Sequence, residues 1–261
     1  MPEPRTGPRA GVVGVVGRGR LGSAVARRCA EEDLKVRELN PRRPDEWDDG
    51  GPLPDVVVDC GAPPAVGRVL DLCARLRVPL VECVSDLGPG DLARMAELAR
   101  DTAVVRATNL SLGNYLQTRA LDHLAGLLTA MERAGLTGAV PEAAVLERHP
   151  ATKAHRPSAT AAALAARWRD RTGRAPSDVA SLRAGPPVSD HEIRLAWGAQ
   201  TLTVRHEVHA LDAAAAGAVA VARWCVGRAP GEYPAHTVFD DLWNATDRPA
   251  PRSGPNGGQR A

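Results

Sequence analysis

Two stretches of the sequence gather side chains that could do chemistry. The first, RHPATKAHRPSAT from Arg148 to Thr160, holds Arg148, His149, Lys153, His155 and Arg156 ahead of two hydroxyls, Ser158 and Thr160. Such a cluster suits capture of a small anion and delivery of a proton. A cation stabilises developing negative charge, and an imidazole exchanges a proton near neutral pH. A solvated basic loop that ends in a helix cap is the alternative these residues alone leave open. The second stretch is Gly17-x-Gly19-x-x-Gly22, which follows a Val-rich run and opens a helical pattern. In that setting the glycines can supply a tight turn, a close backbone approach to pyrophosphate and close helix-to-sheet packing. Gly17, Arg18, Gly19, Arg20, Leu21 and Gly22 are therefore the expected phosphate-binding residues, against a purely structural glycine turn.

The elements that must position these groups alternate in type. GVVGVVG, LKVREL, DVVVDC, PLVECV and AVVRA read as short strands, and the apolar periodicity between most of them is helical. Strands alternating with helices over the first 110 residues imply an α/β fold with a Rossmann-type doubly wound parallel sheet. The end of the second strand is where a ribose selector is expected, about 20 residues beyond the glycine turn. RELNPRR places Asn40 there, followed by Arg42 and Arg43. An amide followed by guanidinium groups can hold a 2′-phosphate, so NADPH is the expected cofactor. NADH is expected instead if Glu38 stands at the strand end.

After Asn109 the character changes. A long helical pattern (GNYLQTRALDHLAGLLTAMERAG), a strand entering the basic cluster (AAVLERH), a helix from Ser158 and two alternating stretches around WGAQ describe an α+β segment with a mixed or antiparallel sheet. An Ala-rich helix near Ala213–Val226 and TVFDDLW can return to the first lobe. The division is a discontinuous dinucleotide-binding domain, 11–110 and 213–243, and a substrate and oligomerisation domain, 111–212, between tails 1–10 and 244–261 expected to be disordered.

Composition narrows the partners. Lys plus Arg number 33 against 31 Asp plus Glu, so no general affinity for nucleic acid or acidic membranes is expected. Five Trp, two Tyr and one Phe leave few platforms for stacking bases. Cys29, Cys60, Cys73, Cys83 and Cys225 lie in apolar-periodic segments without metal-ligand spacing, and read as reduced, mostly buried thiols of a cytoplasmic protein with no metal. No membrane segment or leader is legible.

In order and spacing the chain resembles the dihydrodipicolinate reductase family from about Val12 to Leu242. DVVVDCGAPPAV resembles the family's third-strand region, ATNLSLGNYL its Asn-Phe-Ser-x-Gly stretch near the nicotinamide, HEIRLAWGAQTLTVRH its paired strands with His191 and His206 at the ends, and GAVAVARWCVGRAPGEY its closing helix and Pro-Gly-x-Tyr turn. The basic cluster falls on the family's His-His-x-x-Lys-x-Asp-x-Pro-Ser-Gly-Thr.

By position, the resemblance implies that His149 and Lys153 are catalytic and that Ser158, Ala159 and Thr160 hold a substrate carboxylate. It adds Cys60, Ser85, Thr108 and Asn109 to the cofactor-binding set. It implies hydride transfer from NAD(P)H to a cyclic imine or enamine carboxylate by a homo-oligomer, a tetramer in the family.

The site departs from the family pattern in four places. Pro150 stands for the second histidine, Ala159 for the glycine, His155 for the aspartate, and CVSDL (Cys83 to Leu87) for Gly-Thr-Thr-Gly. Four changes on one cleft point to an altered substrate, with the housekeeping enzyme of lysine and diaminopimelate biosynthesis as one alternative. A catalytically weak dinucleotide-binding protein is the other.

Overall fold

A computed structural model describes residues 11–85, 87–185 and 188–246. The tail 1–10, most of the tail expected from Asn244, and Asp86 of the CVSDL stretch lie outside the described residues. Residues 244–246 form the last turn of helix α7 (Ala235–Thr246).

The first sheet is parallel throughout, in the order β10-β5-β4-β3-β1-β2. Its strands are β1 (Val12–Val16), β2 (Lys35–Leu39), β3 (Val56–Asp59), β4 (Leu80–Glu82), β5 (Ala103–Arg106) and β10 (Gly231–Pro234). The runs in β3 and β4 are buried on both faces, which is why they read as continuously apolar rather than alternating. Helices α1 (Arg20–Glu31) and α6 (Asp212–Cys225) cover one face, and α2 (Pro63–Leu76) and α3 (Pro89–Leu98) the other. Helix α6 needs its small residues, since a Cβ at Gly217 would lie 1.7 Å from the Leu110 carbonyl oxygen.

Strand β10 corrects the reading of PGEY as a turn: Gly231–Pro234 extends the sheet beside β5, with Tyr233 in register with Val105. Glycine and proline at its two ends mimic turn chemistry, and an edge position tolerates both.

The second sheet is mixed, in the order β7-β6-β8-β9. Strand β6 (Glu142–His149) runs parallel to β7 (Asp178–Arg183) and antiparallel to β8 (Ser189–Trp197), which pairs antiparallel with β9 (Gln200–Val208). Helices α4 (Leu112–Arg133) and α5 (Ala159–Thr172) pack on it through Leu121, Ala125, Leu164 and Trp168. Strand β7 has no buried residue, so it lacks the apolar signal that betrays the others. Among the described residues no helix is long and apolar enough to cross a membrane.

Candidate active site

The glycine turn has the geometry its residue types suggest. Gly17 sits at φ +91°, in the left-handed region, and a Cβ there would lie 2.9 Å from the Cys60 carbonyl oxygen. A Cβ at Gly22 would lie 2.0 Å from the Gly17 carbonyl oxygen, so this glycine lets α1 close on the strand end. At Gly19 nothing lies within 4 Å of an added Cβ. Gly19 is also the N-cap of α1 and offers no side-chain cap, which leaves the helix's first N–H groups to an anion.

Gly17, Arg18, Gly19, Asn40, Arg42 and Cys60 line a cleft of about 460 Å³. The open cradle at Gly19 and the uncapped helix start fit a dinucleotide phosphate. Leu21 instead packs on the core, Gly22 is buried, and Arg20 is exposed, so these three could serve a phosphate chiefly through backbone.

At the ribose end, β2 stops at Leu39 and Asn40 follows it. The Asn40 Oδ1 accepts from the Arg42 N–H at 3.0 Å, so the amide's donor end is the one left for a ligand. Glu38 is engaged by Arg18 at 2.8 Å, and Arg43 pairs with Glu46 at 2.8 Å. Arg42 therefore lines the cleft while Arg43 does not take part in its wall.

One hydrogen bond joins the two sheets' functional edges. Asn109, just beyond β5, donates through Nδ2 to Thr160 Oγ1 at 3.2 Å, while its Oδ1 accepts from Ser111 N at 3.0 Å and from the Ser111 hydroxyl at 2.6 Å. Ser85, Thr108 and Ala159 share a space of about 180 Å³ with Glu82 and Arg106. A larger opening of about 480 Å³ continues past Arg106, Thr108 and Asn109 to Tyr115, Arg167 and His236. Sequence reasoning missed Glu82, Arg106 and Arg167; the first two end β4 and β5, and that position at the carboxyl end of a parallel strand was the available signal.

His149 ends β6 as a buried residue whose Nε2 lies 3.2 Å from His191 Nε2 and 3.4 Å from Glu147 Oε2. His191 Nε2 in turn lies 3.1 Å from the Ser158 hydroxyl. Glu147 accepts from Ser158 N at 3.0 Å, from the Ser181 hydroxyl at 2.6 Å and from Arg183 at 2.7 Å. Burial would raise its carboxyl, but these donors outweigh it and bring the pKa down to about 2. Burial lowers His149, and burial with the neighbouring His149 ring lowers His191 to about 4. Both imidazoles are thus neutral near pH 7, and one donates to the other.

Arg183, also missed, is the hub of the loop between β6 and α5: its Nε donates to the Lys153 carbonyl at 2.9 Å while its other arm holds Glu147. Lys153 is half-buried, with its N–H on the Pro150 carbonyl at 3.0 Å. Ser158 caps α5, accepting from Ala161 N at 3.3 Å.

Glu147, His149 and His191 bring three potential ligand atoms within 4.8 Å of one another, a grouping that could hold a metal and that no local spacing announced. The oxygens of Glu147 already receive three sets of donors, and a guanidinium beside them opposes a divalent cation. The cluster reads as a hydrogen-bonded network that braces the loop.

Residues 122–239 match the family described as dihydrodipicolinate reductase, C-terminus. The 4-hydroxy-tetrahydrodipicolinate reductase of Xanthomonas euvesicatoria is 30% identical over 184 residues, covering 70% of this chain and 72% of that protein. That of Cereibacter sphaeroides is 32% identical over 196 residues, 68% of this chain and 70% of the relative. In fold, the chain is similar to a dipicolinate-bound dihydrodipicolinate reductase from Paenisporosarcina sp. TG-14, with a TM-score of 0.61 at 17% identity over 85% of this chain and 97% of that one. With a glycine cradle on one sheet, a capped helix start on the other and relatives at this identity along most of its length, the chain belongs to the dihydrodipicolinate reductase family of oxidoreductases.

Proposed function

We propose that the protein is an NADPH-dependent reductase passing hydride to a cyclic imine or enamine carboxylate related to dihydrodipicolinate. The observation that carries this reading is the Asn109–Thr160 bond, which sets the dinucleotide sheet and the start of α5 on a shared cleft. Backbone of the Gly17–Gly22 turn holds pyrophosphate, and Asn40 and Arg42 hold a 2′-phosphate. Ser85 and Thr108 line the nicotinamide end. A nicotinamide cofactor supplies the hydride.

The substrate's carboxylate binds at the N-terminus of α5. Glu147 takes the Ser158 N–H and the Ser158 hydroxyl takes that of Ala161, so the donors left in the first turn are those of Ala159 and Thr160. Ser158 acts by positioning. Lys153 is the electrostatic clamp for the charge that develops on the conjugated imine, and His149, held by His191, takes a proton from solvent and donates it to the reduced product, returning to its neutral form. Ala159 and Glu82 line the same space, a methyl and an acid where the family motif has glycine and hydroxyls nearby, which favours a substrate with its carboxylates placed differently from the pathway intermediate.

A second reading, the housekeeping 4-hydroxy-tetrahydrodipicolinate reductase, draws on the names of the relatives, one of which, from Xanthomonas campestris, is 28% identical over 82% of this chain. The protein works in the cytosol as a homo-oligomer, assembled through the exposed edge strand β9 and the exposed Leu112 and Leu116 of α4.

The test is oxidation of NADPH and of NADH with the imine made by dihydrodipicolinate synthase and with a panel of other cyclic imine acids. Turnover confined to the synthase product favours the housekeeping reading. Turnover on another imine acid favours the altered substrate, and none above background with any of them leaves only a binding protein. Lys153→Ala and His149→Ala should each lower kcat at least about tenfold; unchanged turnover removes the site assignment.

A further inference from the structure

The last aligned row of the first sheet places Asp59 of β3, Glu82 of β4 and Arg106 of β5 side by side. Asp59 is 0% and Glu82 1% exposed, yet each carboxyl is only half satisfied. Asp59 Oδ1 accepts from Gly61 N at 2.8 Å and Glu82 Oε1 from Val84 N at 2.7 Å, whereas Asp59 Oδ2 and Glu82 Oε2 are buried without a partner.

Arg106 does not neutralise them: its side chain is half-exposed and its guanidinium lies 3.6 Å from Glu232. Glu82 lines the space shared with Ser85, Thr108 and Ala159, and Gly61, which Asp59 holds, lines the glycine-turn cleft. Glu82 therefore walls one cleft and Asp59 backs the other through Gly61, at the carboxyl end of the sheet where ligands of doubly wound folds bind.

Two carboxyls this close and this buried cannot both ionise cheaply. Burial pushes Asp59 up to about 6, and burial followed by the Asp59 charge pushes Glu82 up to about 8. The other groups facing the pair are Asp91 of α3, which raises Glu82 further, the thiols of Cys73, Cys83 and Cys60, and Arg106. Burial raises Cys73, and its hydrogen bond with Cys60 followed by burial raises Cys83, so both thiols stay neutral across the range in which the acids titrate.

Resting on the dinucleotide reading above, we infer that Asp59 and Glu82 form a proton-sharing pair that discriminates the two redox forms of the nicotinamide, keeping its one shared proton beside the reduced ring and giving it up beside the oxidised, cationic one. A buried carboxylate gains energy from a cation beside it and none from a neutral ring. By linkage, oxidised cofactor lowers the pair's proton affinity and its binding releases a proton; reduced cofactor does not.

The experiment measures the dissociation constants of NADPH and NADP⁺ for the full chain at pH 6 and pH 9, by protein fluorescence and by calorimetry in two buffers of different ionisation enthalpy. In the wild type the affinity for NADP⁺ relative to NADPH should rise about tenfold across that range, with proton release on binding NADP⁺ only. In Glu82→Gln, and in Asp59→Asn as an independent variant, the ratio should be flat and the proton release lost. A wild-type ratio that does not change with pH, or a rise that persists in both variants, overturns the inference while leaving the dinucleotide reading intact. Failure of either form to bind overturns both.

Discussion

The two sheets bury carboxylates under opposite conditions. In the second, Glu147 is fully buried and ringed by donors from Ser158, Ser181 and Arg183, so it stays an anion down to about pH 2. In the first, Asp59 and Glu82 are equally shut off from solvent, but only backbone N–H groups donate to them and one oxygen of each has no partner, so they keep protons well above the ordinary carboxylate range. Solvent reaches none of the three, although Asp59 and Glu82 lie deeper than Glu147. The number and charge of the donors decide whether the group is a structural anchor or a titrating one. The anchored acid braces the loop between β6 and α5. The under-satisfied pair lies where a ligand can complete it.

The largest expected effect comes from removing the anchor. Glu147→Ala leaves Arg183 and the Ser158 N–H buried without their partner and should cost about 3–5 kcal/mol, read from urea unfolding. A loss under about 1 kcal/mol would show that the network carries no weight.

Next is the acid response of the same network. His191 is held down to about 4 from an ordinary 6.5, so the unfolded chain binds more protons than the native one between those values. Stability is complete above pH 6.5 and falls as the pH drops towards 4, by on the order of 3 kcal/mol from this group. Glu147 adds a further loss between 4.5 and about 2. Thermal unfolding of the wild type and of His191→Gln between pH 7 and pH 4 checks the first window, and a Tm that falls equally in both contradicts it.

The acid pair responds with the opposite sign. With Glu82 raised from 4.5 to about 8, the unfolded state is the one that has lost its proton between these values, and stability falls as pH rises. Glu82→Gln removes that loss, so the variant should be the more stable protein, by a margin that grows from pH 5 to pH 8 and reaches about 1–3 kcal/mol, seen as a Tm raised by several degrees. A variant less stable than wild type at pH 8 would place Glu82 with Glu147 as an anchor.

The smallest effect is Ser181→Ala, which removes one neutral donor from Glu147 and should cost about 1 kcal/mol with Glu147 still ionised. Nuclear magnetic resonance titration of the carboxyl carbon measures the second half of that statement.

Much of the fold is legible in short-range pattern. The Val-rich strands, the glycine turn and the Ala-rich helices each carry their own periodicity, and β1 through β5 follow from it. Gly231–Pro234 and Asp178–Arg183 do not, because a four-residue edge strand with glycine and proline at its ends and a strand without a buried residue have no periodic apolar face. At the site, Gly17, Gly19, Asn40 and Arg42 are recognisable from spacing and meet on one cleft. Asn109 and Thr160 are recognisable only through the family motif. Glu82 had only its place at the carboxyl end of β4 as a signal, and Arg183 and the convergence of Glu147 with His191 have no local signature, since the partners come from different strands.

By itself the sequence determined the alternation of strand and helix, the phosphate turn and the helix start at Ser158, because each depends on backbone geometry and burial within a dozen neighbouring residues. Only the tertiary structure decided which acids are charged and which histidines are neutral. A titratable group's state depends on the donors and the dielectric around it, and here these are supplied by β3 to β4 pairing and by β6, β7 and β8 coming together across more than forty residues of chain.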